Sequence, residues 1–340
     1  MTATAIHGVR LNVANLDRAQ QFYSGLGMVE DIGMRRADRP DGPTSVLAAN
    51  HPAQSSSARS VALRWPSDPY MHVNLVADGP GSPQQGWPKS VDQLGSTVLT
   101  LLVADLDAEM RRLVDDGAMI HVDAATTARL SGSTRSAYVA DPDGNVVELL
   151  ECSPDPGWGY AACTVAGAQT TFLHLQLNTY DYEAMSGFYA GFGFVPDPLS
   201  EGRPNVDYRQ LIDMSRPNPY VEAFGRPLNN KVTSGVSLFH LAGDHSQMHL
   251  EIMGWNDGNL VVPGPDQTFH QLGIMRYCFK TVGHLDVLAE LKRRGVRVLV
   301  ENQLGAYKWG DSEWFYFADP DSNILCFEEW FPAGRWGEKL

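Results

Sequence analysis

Residues 7–28 read HGVRLNVANLDRAQQFYSGLGM, and the same pattern returns as LHLQLNTYDYEAMSGFYAGFGF in residues 173–194. Each stretch first alternates apolar and polar residues, as a half-buried strand does, and then changes to the spacing of a short helix. Glycines close both helical segments, and Phe22 and Phe188, each followed by tyrosine, occupy the same place. Composition alone would not keep this register, so we predict one strand-helix unit that occurs twice.

A second pattern alternates with the first along the chain. Residues 97–118 and 275–296 each read as a strand, a Leu-Asp helix start and an amphipathic helix that glycine closes. Each is followed by a matching turn and strand, SAYVADPDGNVVELLE in 136–151 and WFYFADPDSNILCFEE in 314–329. The DPDGN and DPDSN segments favour tight reversals of the chain. We therefore predict four βαβββ modules and an α+β fold.

Four modules in a chain of 340 residues suggest two domains, since a single hydrophobic core seldom grows to this size. We predict an N-terminal domain of modules 1 and 2 in residues 1–151, a linker in 152–170, and a C-terminal domain of modules 3 and 4 in 171–340. We expect the C-terminal domain to be the active one. Two polar stretches are predicted loops, 35–60 in module 1 and 196–231 in module 3, and the second is long enough to form a lid.

The composition excludes several classes of function. The formal net charge is −14, so no basic surface is available to displace counterions from nucleic acid. The N-terminus lacks the features of a signal peptide, and no apolar run could span a bilayer, so we predict a cytoplasmic protein that does not bind membranes. Four cysteines without metal-binding or disulfide spacing are expected to be reduced thiols. The predicted partners are a small-molecule substrate and, for the assembly, a second copy of the chain in a homodimer.

The repeated pattern resembles that of the vicinal oxygen chelate superfamily, which includes glyoxalases, bleomycin-resistance proteins and extradiol dioxygenases. The likeness rests on a first strand of the form H-x-x-h-x-V, a helix that ends in FYxxxLG or similar, and a terminal YxxDPDGNxxEL, and it covers nearly the whole chain. Four modules in one chain are most similar to extradiol ring-cleaving dioxygenases, in which the C-terminal half holds a ferrous ion. The resemblance implies paired modules that form glyoxalase-like half-barrels.

The chemistry of such a barrel depends on side chains that project into it, because alternate residues of a strand share one face. Alignment of the four modules puts the first-strand ligand position at Gly8, Val98, His174 and Arg276. The position on the terminal strand is Asn74, Glu148, Glu251 and Cys326. His7 lies on the opposite face from Gly8 and is interpreted as structural. The second half therefore offers more ligand-type residues than the first.

Two histidines and a carboxylate on one side of an iron ion leave positions for substrate and dioxygen. The candidate metal ligands here are His174, Glu251 and Glu328, the last of which lies two residues beyond Cys326 and shares its face. The resemblance implies Fe(II) first, then Mn, Zn or Ni, and a site without metal is the alternative. The chain departs from the dioxygenase pattern at Arg276 and Cys326, and a guanidinium cannot ligate iron.

Other side chains are candidates for catalysis or substrate binding. The catalytic candidates are His174, His249 and Tyr316. The substrate-binding candidates are Arg276, Trp314 and Tyr307. A histidine beside a carboxylate can act as a general base without a metal, and a cation among aromatic faces suits a planar oxygenated ligand. Each of these residues could instead be an ordinary buried side chain of the barrel.

Three functions remain open. The first is a metal-dependent enzyme on a small oxygenated, aromatic substrate, most similar to a ring-cleaving dioxygenase. The second is a lyase or isomerase of the same superfamily whose site is rearranged or metal-free. The third is a binding or resistance protein that sequesters a ligand without chemistry. We expect His174→Ala to lower activity or metal content at least about tenfold, and elemental analysis to separate the first function from the others.

Overall fold

A computed structural model describes ten stretches of the chain. These are residues 2–35, 59–68, 70–77, 94–129, 132–151, 170–196, 233–244, 248–255, residue 269 and residues 272–332. Every structural statement below concerns them. Nearly all of the predicted linker, loop and lid, at 152–170, 35–60 and 196–231, lies outside the described residues.

Each module has the predicted order of one strand, one helix and three strands. Module 1 comprises β1 (Ala5–Asn12), α1 (Leu16–Gly25), β2 (Val29–Glu30), β3 (Arg59–Arg64) and β4 (His72–Ala77). Module 2 comprises β5 (Gly95–Val103), α2 (Leu106–Asp115), β6 (Met119–Arg129), β7 (Gly132–Ala140) and β8 (Val146–Glu151). Module 3 comprises β9 (Thr170–Thr179), α3 (Tyr182–Ala190), β10 (Phe194–Pro196), β11 (Thr233–Leu241) and β12 (His249–Trp255). Module 4 comprises β13 (Gly273–Lys280), α4 (His284–Arg293), β14 (Val298–Tyr307), β15 (Gly310–Ala318) and β16 (Ile324–Phe331). The α+β class and the four-module repeat are confirmed.

Local sequence explains where the helices begin. Asn15, Asp105 and Asp181 precede α1, α2 and α3, and each side chain accepts a hydrogen bond from the backbone N–H three residues on. Before α4 the cap position is Gly283, and the N–H groups of Gly283 and the next residue donate to Glu329 instead. No helix in the described ranges is long and apolar enough to cross a membrane.

The strands form two eight-stranded sheets, each built from two modules. Sheet I has the order β14-β15-β16-β13-β1-β4-β3-β2, and sheet II has the order β10-β11-β12-β9-β5-β8-β7-β6. In both, the first strands of two modules meet antiparallel at the centre, β1 beside β13 and β5 beside β9. Sheet I therefore joins modules 1 and 4, and sheet II joins modules 2 and 3.

This pairing corrects our domain prediction. Residues 1–151 and 171–340 do not form one paired-module unit each, because each of these halves contributes one module to each sheet. The physical reason is that all four modules present the same kind of edge on their first strand. A repeat in the sequence predicts that modules pair along this edge, but it does not say which copy is the partner.

Within each module the first and terminal strands run parallel and in the same register. Arg10 lies opposite Asn74, and the equivalent pairs are Thr100 with Glu148, Gln176 with Glu251, and Cys278 with Cys326. The predicted equivalence of the four terminal-strand positions is thereby confirmed. The residue that pairs with each terminal-strand position lies two places after the aligned first-strand position of the same module.

The Phe-Tyr and Asp-Pro-Asp motifs contact each other. Tyr23 donates to Asp141 at 3.0 Å, and in the second half Tyr189 donates to Asp319 at 3.2 Å. Burial raises the pKa of Asp141 to about 6 and that of Asp319 to about 7. Each contact joins the helix of a module in one sheet to the turn of a module in the other, so it fixes the two sheets together. The two tyrosines hold equivalent places, as the repeat predicts.

Candidate active site

A cavity of about 280 Å³ lies between modules 1 and 4, and we call it the module 1/4 cavity. Its wall combines basic, acidic, thiol and aromatic side chains, including His7, Arg10, Asn74, Arg276, Cys278, Tyr307, Trp314, Tyr316 and Glu328. At the mouth, a turn of module 4 rests on module 1, since the N–H of Trp309 donates to the carbonyl of Gly33 at 3.2 Å. Both halves of the chain therefore build this cavity, whereas we expected the active site to lie in the C-terminal domain alone.

His7 and Glu328 form a buried pair in the cavity wall. His7 Nε2 lies 3.3 Å from Glu328 Oε2, and Ser312 donates a short hydrogen bond to the other carboxyl oxygen. Burial raises the pKa of Glu328, because an ionised carboxylate loses hydration there. Burial, together with nearby positive charge that includes Arg276, lowers the pKa of His7 well below its usual value. The two shifts favour the neutral form of the imidazole and the protonated form of the carboxyl group.

A β-bulge brings His7 to this position. The ladder between β1 and β13 pairs Ile6 with Phe279 and Gly8 with Cys278, which leaves His7 as an extra residue. Such an insertion re-aims a side chain relative to strict alternation. Our interpretation of His7 as structural rested on that alternation and is corrected here. The sequence signal for this role was a histidine directly before Gly8, the aligned ligand position of module 1.

Arg276 is the centre of a cation and aromatic group. Its Nη1 donates a short hydrogen bond to the hydroxyl of Tyr316, and its guanidinium carbon lies 4.7 Å from the centre of the Tyr316 ring. Trp314 Nε1 donates to the same hydroxyl at 2.7 Å. Burial raises the pKa of Tyr316 to about 12, so this hydroxyl stays neutral. Arg276 Nε is buried and has no hydrogen-bond partner among the described residues.

A second guanidinium and the acidic side chains at the mouth also contribute to the electrostatic potential of the module 1/4 cavity. Arg10 is 1% exposed, and its Nε donates to Asn12 Oδ1 at 2.9 Å. At the mouth, Glu30 binds Arg35 and Asp31 binds His72 at 3.0 Å, so these carboxylates are already engaged. Two permanent cations therefore face one interior carboxyl group, Glu328, whose pKa is raised. The interior of the cavity favours an anion, although the whole chain is acidic.

The structure brings one group of the predicted residues together. Arg276, Trp314, Tyr307, Tyr316 and Glu328 all line the module 1/4 cavity. This placement agrees with the predicted substrate-binding role of the first three. Glu328 is, however, separated from the other two predicted metal ligands, His174 and Glu251, which lie in sheet II.

A second polar group, the module 2/3 group, lies in sheet II. The hydroxyl of Thr100 donates to Glu148 at 2.9 Å and lies 2.9 Å from His174 Nε2, which is 3.4 Å from Glu251. Tyr138 donates to the other oxygen of Glu148 at 2.6 Å. Because the only hydroxyl proton of Thr100 goes to Glu148, the Thr100 oxygen is left to accept a hydrogen bond from His174 Nε2. The Nδ1 atom is buried and has no hydrogen-bond partner in the described ranges.

Glu328 is not part of the module 2/3 group. It belongs to β16 of sheet I, whereas His174 and Glu251 belong to β9 and β12 of sheet II. The prediction that these three residues share one site is therefore wrong, and the cause is the assumed pairing of modules 3 and 4. His249 lies opposite His174 in the ladder of β9 and β12, and its ring centre is 5.9 Å from that of His240.

A divalent metal ion is what the resemblance implies, and the module 2/3 group has donors of the right types. Their arrangement does not fit. Within the part of the chain that the structure describes, no three His, Cys, Asp or Glu side chains are placed so that they could hold a metal ion. Both oxygens of Glu148 accept hydrogen bonds from hydroxyls, and Thr100 stands between Glu148 and His174. We therefore assign no catalytic step to a metal ion.

Comparisons with known proteins agree with this architecture. Residues 5–149 match the model of the Glyoxalase/Bleomycin resistance protein/Dioxygenase superfamily. Glyoxalase I from Zea mays is similar in structure, with a TM-score of 0.56 at 16% identity over 96% of this chain and 92% of that chain. A candidate dioxygenase from Bacillus subtilis subsp. subtilis str. 168 has a TM-score of 0.55 at 13% identity over 96% of this chain and 86% of that chain.

At these identities the two structures show the fold alone. No curated protein matches the sequence significantly. The family match covers the first two modules and confirms, for residues 5–149, the resemblance to the Glyoxalase/Bleomycin resistance protein/Dioxygenase superfamily. The second half repeats the same module, and the whole chain shares the fold of the two solved structures.

Proposed function

We propose that the chain is a small-molecule enzyme that moves a proton on a planar, oxygenated anion in the module 1/4 cavity, as a lyase or isomerase that needs no metal ion. The observation that carries the proposal is the buried pair of His7 and Glu328, 3.3 Å apart, in a cavity that also holds Arg276. Two titratable groups whose surroundings shift their pKa values in opposite directions are typical of an acid and a base.

Each group in the cavity has a role in such a reaction. Arg276 and Arg10 bind the anionic oxygens, and they stabilise the negative charge that develops on oxygen when a neighbouring carbon loses a proton. Neutral His7 accepts that proton. Glu328, which Ser312 holds in place, donates a proton to another atom of the substrate. In an isomerisation, substrate and product then differ only in the position of a hydrogen and a double bond. In a lyase reaction, the bond to a group on the neighbouring carbon breaks, and that group leaves with the proton from Glu328.

The cavity also limits the substrate. Its volume of about 280 Å³ is at the small end of ligand sites, which suits a molecule with about one ring. Tyr307, Trp314 and Tyr316 supply aromatic surface, and Arg276 lies over one of these rings. A small aromatic or enolisable carboxylate matches these walls in size, shape and charge.

Exchange of carbon-bound hydrogen for solvent deuterium tests the proposal without knowledge of the natural substrate. Phenylpyruvate and short aliphatic 2-oxo acids serve as probes, with NMR as the readout. We expect the protein to accelerate exchange, and we expect His7→Asn and Glu328→Gln each to lower the acceleration about a hundredfold, as for the loss of a general acid or base. Circular dichroism verifies that both variants fold.

His174→Ala is the matched control, because it alters a buried histidine in the other sheet. The proposal would be contradicted if the protein accelerated exchange in none of the probes. It would also be contradicted if the acceleration persisted in both His7→Asn and Glu328→Gln. Binding of the probes without turnover would favour a sequestering protein.

A second candidate function places the chemistry in sheet II. The observation that favours it is the continuous chain of buried contacts from Glu148 through Thr100 to His174 and Glu251. In that case His174→Ala lowers activity or metal content at least about tenfold, and the substitutions in the module 1/4 cavity do not. Elemental analysis of protein purified without chelators tests the predicted Fe(II), Mn, Zn or Ni and, with it, the dioxygenase reaction.

The location, the assembly and the partners of the chain are predicted from its sequence. A cytoplasmic location and a homodimer stay predictions. Light scattering coupled to size-exclusion chromatography measures the mass of the assembly and tests the second of them. The proposed partner is the small-molecule substrate, and the acidic net charge of −14 argues against nucleic acid.

A further inference from the structure

Two cysteines meet in the wall of the module 1/4 cavity, outside the proposed proton-transfer pair. Cys278 of β13 and Cys326 of β16 lie directly opposite each other in a parallel ladder, and both are free, buried thiols. Neighbouring strands lie about 4.8 Å apart, a separation inside the range that a disulfide spans between α carbons. The backbone therefore already holds the two residues at the distance that a bond between them requires.

The two thiols differ in their surroundings. Both belong to one buried cluster that includes Tyr316, but only Cys278 also lines the cavity. A hydrogen bond from Cys326 and the charge of Arg276 lower the pKa of Cys278, while burial raises the pKa of Cys326 well above its usual value. A thiolate is the nucleophilic form of cysteine. Cys278 is therefore the more reactive of the two, and Cys326 remains a thiol.

We infer that Cys278 and Cys326 are a peroxide-oxidisable dithiol, in which Cys278 reacts first and Cys326 closes an intrachain disulfide. The Cys278 sulfur attacks one oxygen of the peroxide, the O–O bond breaks, and the leaving oxygen takes a proton to become water. The resulting sulfenic acid is then attacked by the Cys326 sulfur, the S–O bond breaks, and a second water leaves with the thiol proton. Two thiols are oxidised to one disulfide, and one hydrogen peroxide is reduced to two waters.

Geometry restricts the reagent and the product. Cys278 is 1% exposed, so only a molecule small enough to enter the cavity reaches it, and hydrogen peroxide is of that size. Among the described residues, the thiol nearest to a sulfenic acid at Cys278 is that of its ladder partner, so disulfide formation competes with further oxidation. The disulfide also replaces a thiol beside Arg276, the cation to which we assign substrate binding.

Mass spectrometry of the full chain treated with hydrogen peroxide tests this inference. After the remaining thiols are alkylated, we expect a peptide pair that links Cys278 to Cys326, and we expect a thiol reductant to release it. In Cys326→Ser the oxidation should stop at the sulfenic acid, which dimedone labels at Cys278. In Cys278→Ser, and in Cys278→Ala if the serine variant does not fold, the rate of peroxide consumption should fall at least about tenfold.

Arg276→Met should slow the oxidation of Cys278, and Arg276→Lys should retain more of the rate because it keeps the charge. A merely structural arginine would not produce this difference in a folded protein. Serine at the other two cysteines of the chain, Cys152 and Cys163, should leave the rate unchanged. A disulfide that involves either of those residues, or resistance of the pair to excess peroxide, would overturn the inference.

Discussion

Tyr189→Phe should destabilise the protein more at high pH than at low pH. The substitution removes the hydroxyl that donates to Asp319 at 3.2 Å, in a site where both side chains are buried. Asn323 and backbone N–H groups still donate to the carboxyl group, so its remaining bonds are preserved. The lost interaction therefore depends on whether Asp319 is ionised when the measurement is made.

The pKa of Asp319 sets the size of the effect. Burial raises this pKa from 3.8 to about 7, so the group is mostly neutral at about pH 5 and mostly ionised at about pH 9. A hydrogen bond between neutral groups contributes about 1 kcal/mol to the free energy of unfolding, and one to a charged group about 1.5 to 3 kcal/mol. We expect Tyr189→Phe to cost about 1 kcal/mol at the lower pH and up to about 3 kcal/mol at the higher one.

The wild-type protein should show the linked trend. An acid whose pKa is higher in the folded state binds its proton more tightly there, so its contribution to stability is lost as pH rises from about 4 to about 7. Urea unfolding at both pH values, followed by fluorescence, measures these quantities. Tyr23→Phe is the matched variant, since Tyr23 donates to Asp141, whose pKa is about 6. An equal loss at both pH values for Tyr189→Phe would refute the reasoning.

Two further predictions concern the site and the fold. The proposed exchange activity should show a bell-shaped dependence on pH, because it falls as pH drops through the lowered pKa of His7 and as pH rises through the raised pKa of Glu328. A rate that does not change across the pH range in which the protein stays folded would contradict the assignment. His284→Gln should lower the free energy of unfolding by about 1 to 3 kcal/mol, because the ring contacts Glu313 at 2.9 Å and Glu329 at 2.8 Å, and its loss leaves buried polar groups without a partner. Thermal unfolding measures this loss, and a change below about 1 kcal/mol would show that the bridge contributes little.

The repeat predicted the modules well because each module is a local unit. Strand alternation, helix spacing and closing glycines act over about thirty residues, and the equivalence of Asn74, Glu148, Glu251 and Cys326 follows from that local register. The pairing of modules joins strand edges that look alike and that lie far apart in the sequence. No local pattern distinguishes the partners, so the prediction that His174, Glu251 and Glu328 share a site failed with the pairing.

The position of His7 could not be predicted for a different reason. A β-bulge adds one residue to one strand of a pair, and its cause is the fit between two strands that are distant in sequence. Period-two alternation along β1 alone therefore places His7 on the wrong face. Arg276 could be identified as a candidate from its residue type alone, since a guanidinium suits a binding role. The structure places it in the cavity wall.

Because each half of the chain contributes one module to each sheet, substitutions can accumulate independently in the two sites. If a chain of half this length assembled as a symmetric dimer, every substitution would appear in both sites at once, and a loss of one carboxylate would be a loss of two. Fusion of two half-chains removes that constraint, because each site draws on one copy from each half. Asn74 can then line a cavity with two arginines in sheet I, where Cys326 replaces the carboxylate of module 4, while Glu148 and Glu251 persist in sheet II. Such a chain holds two unlike sites within a single pseudosymmetric frame.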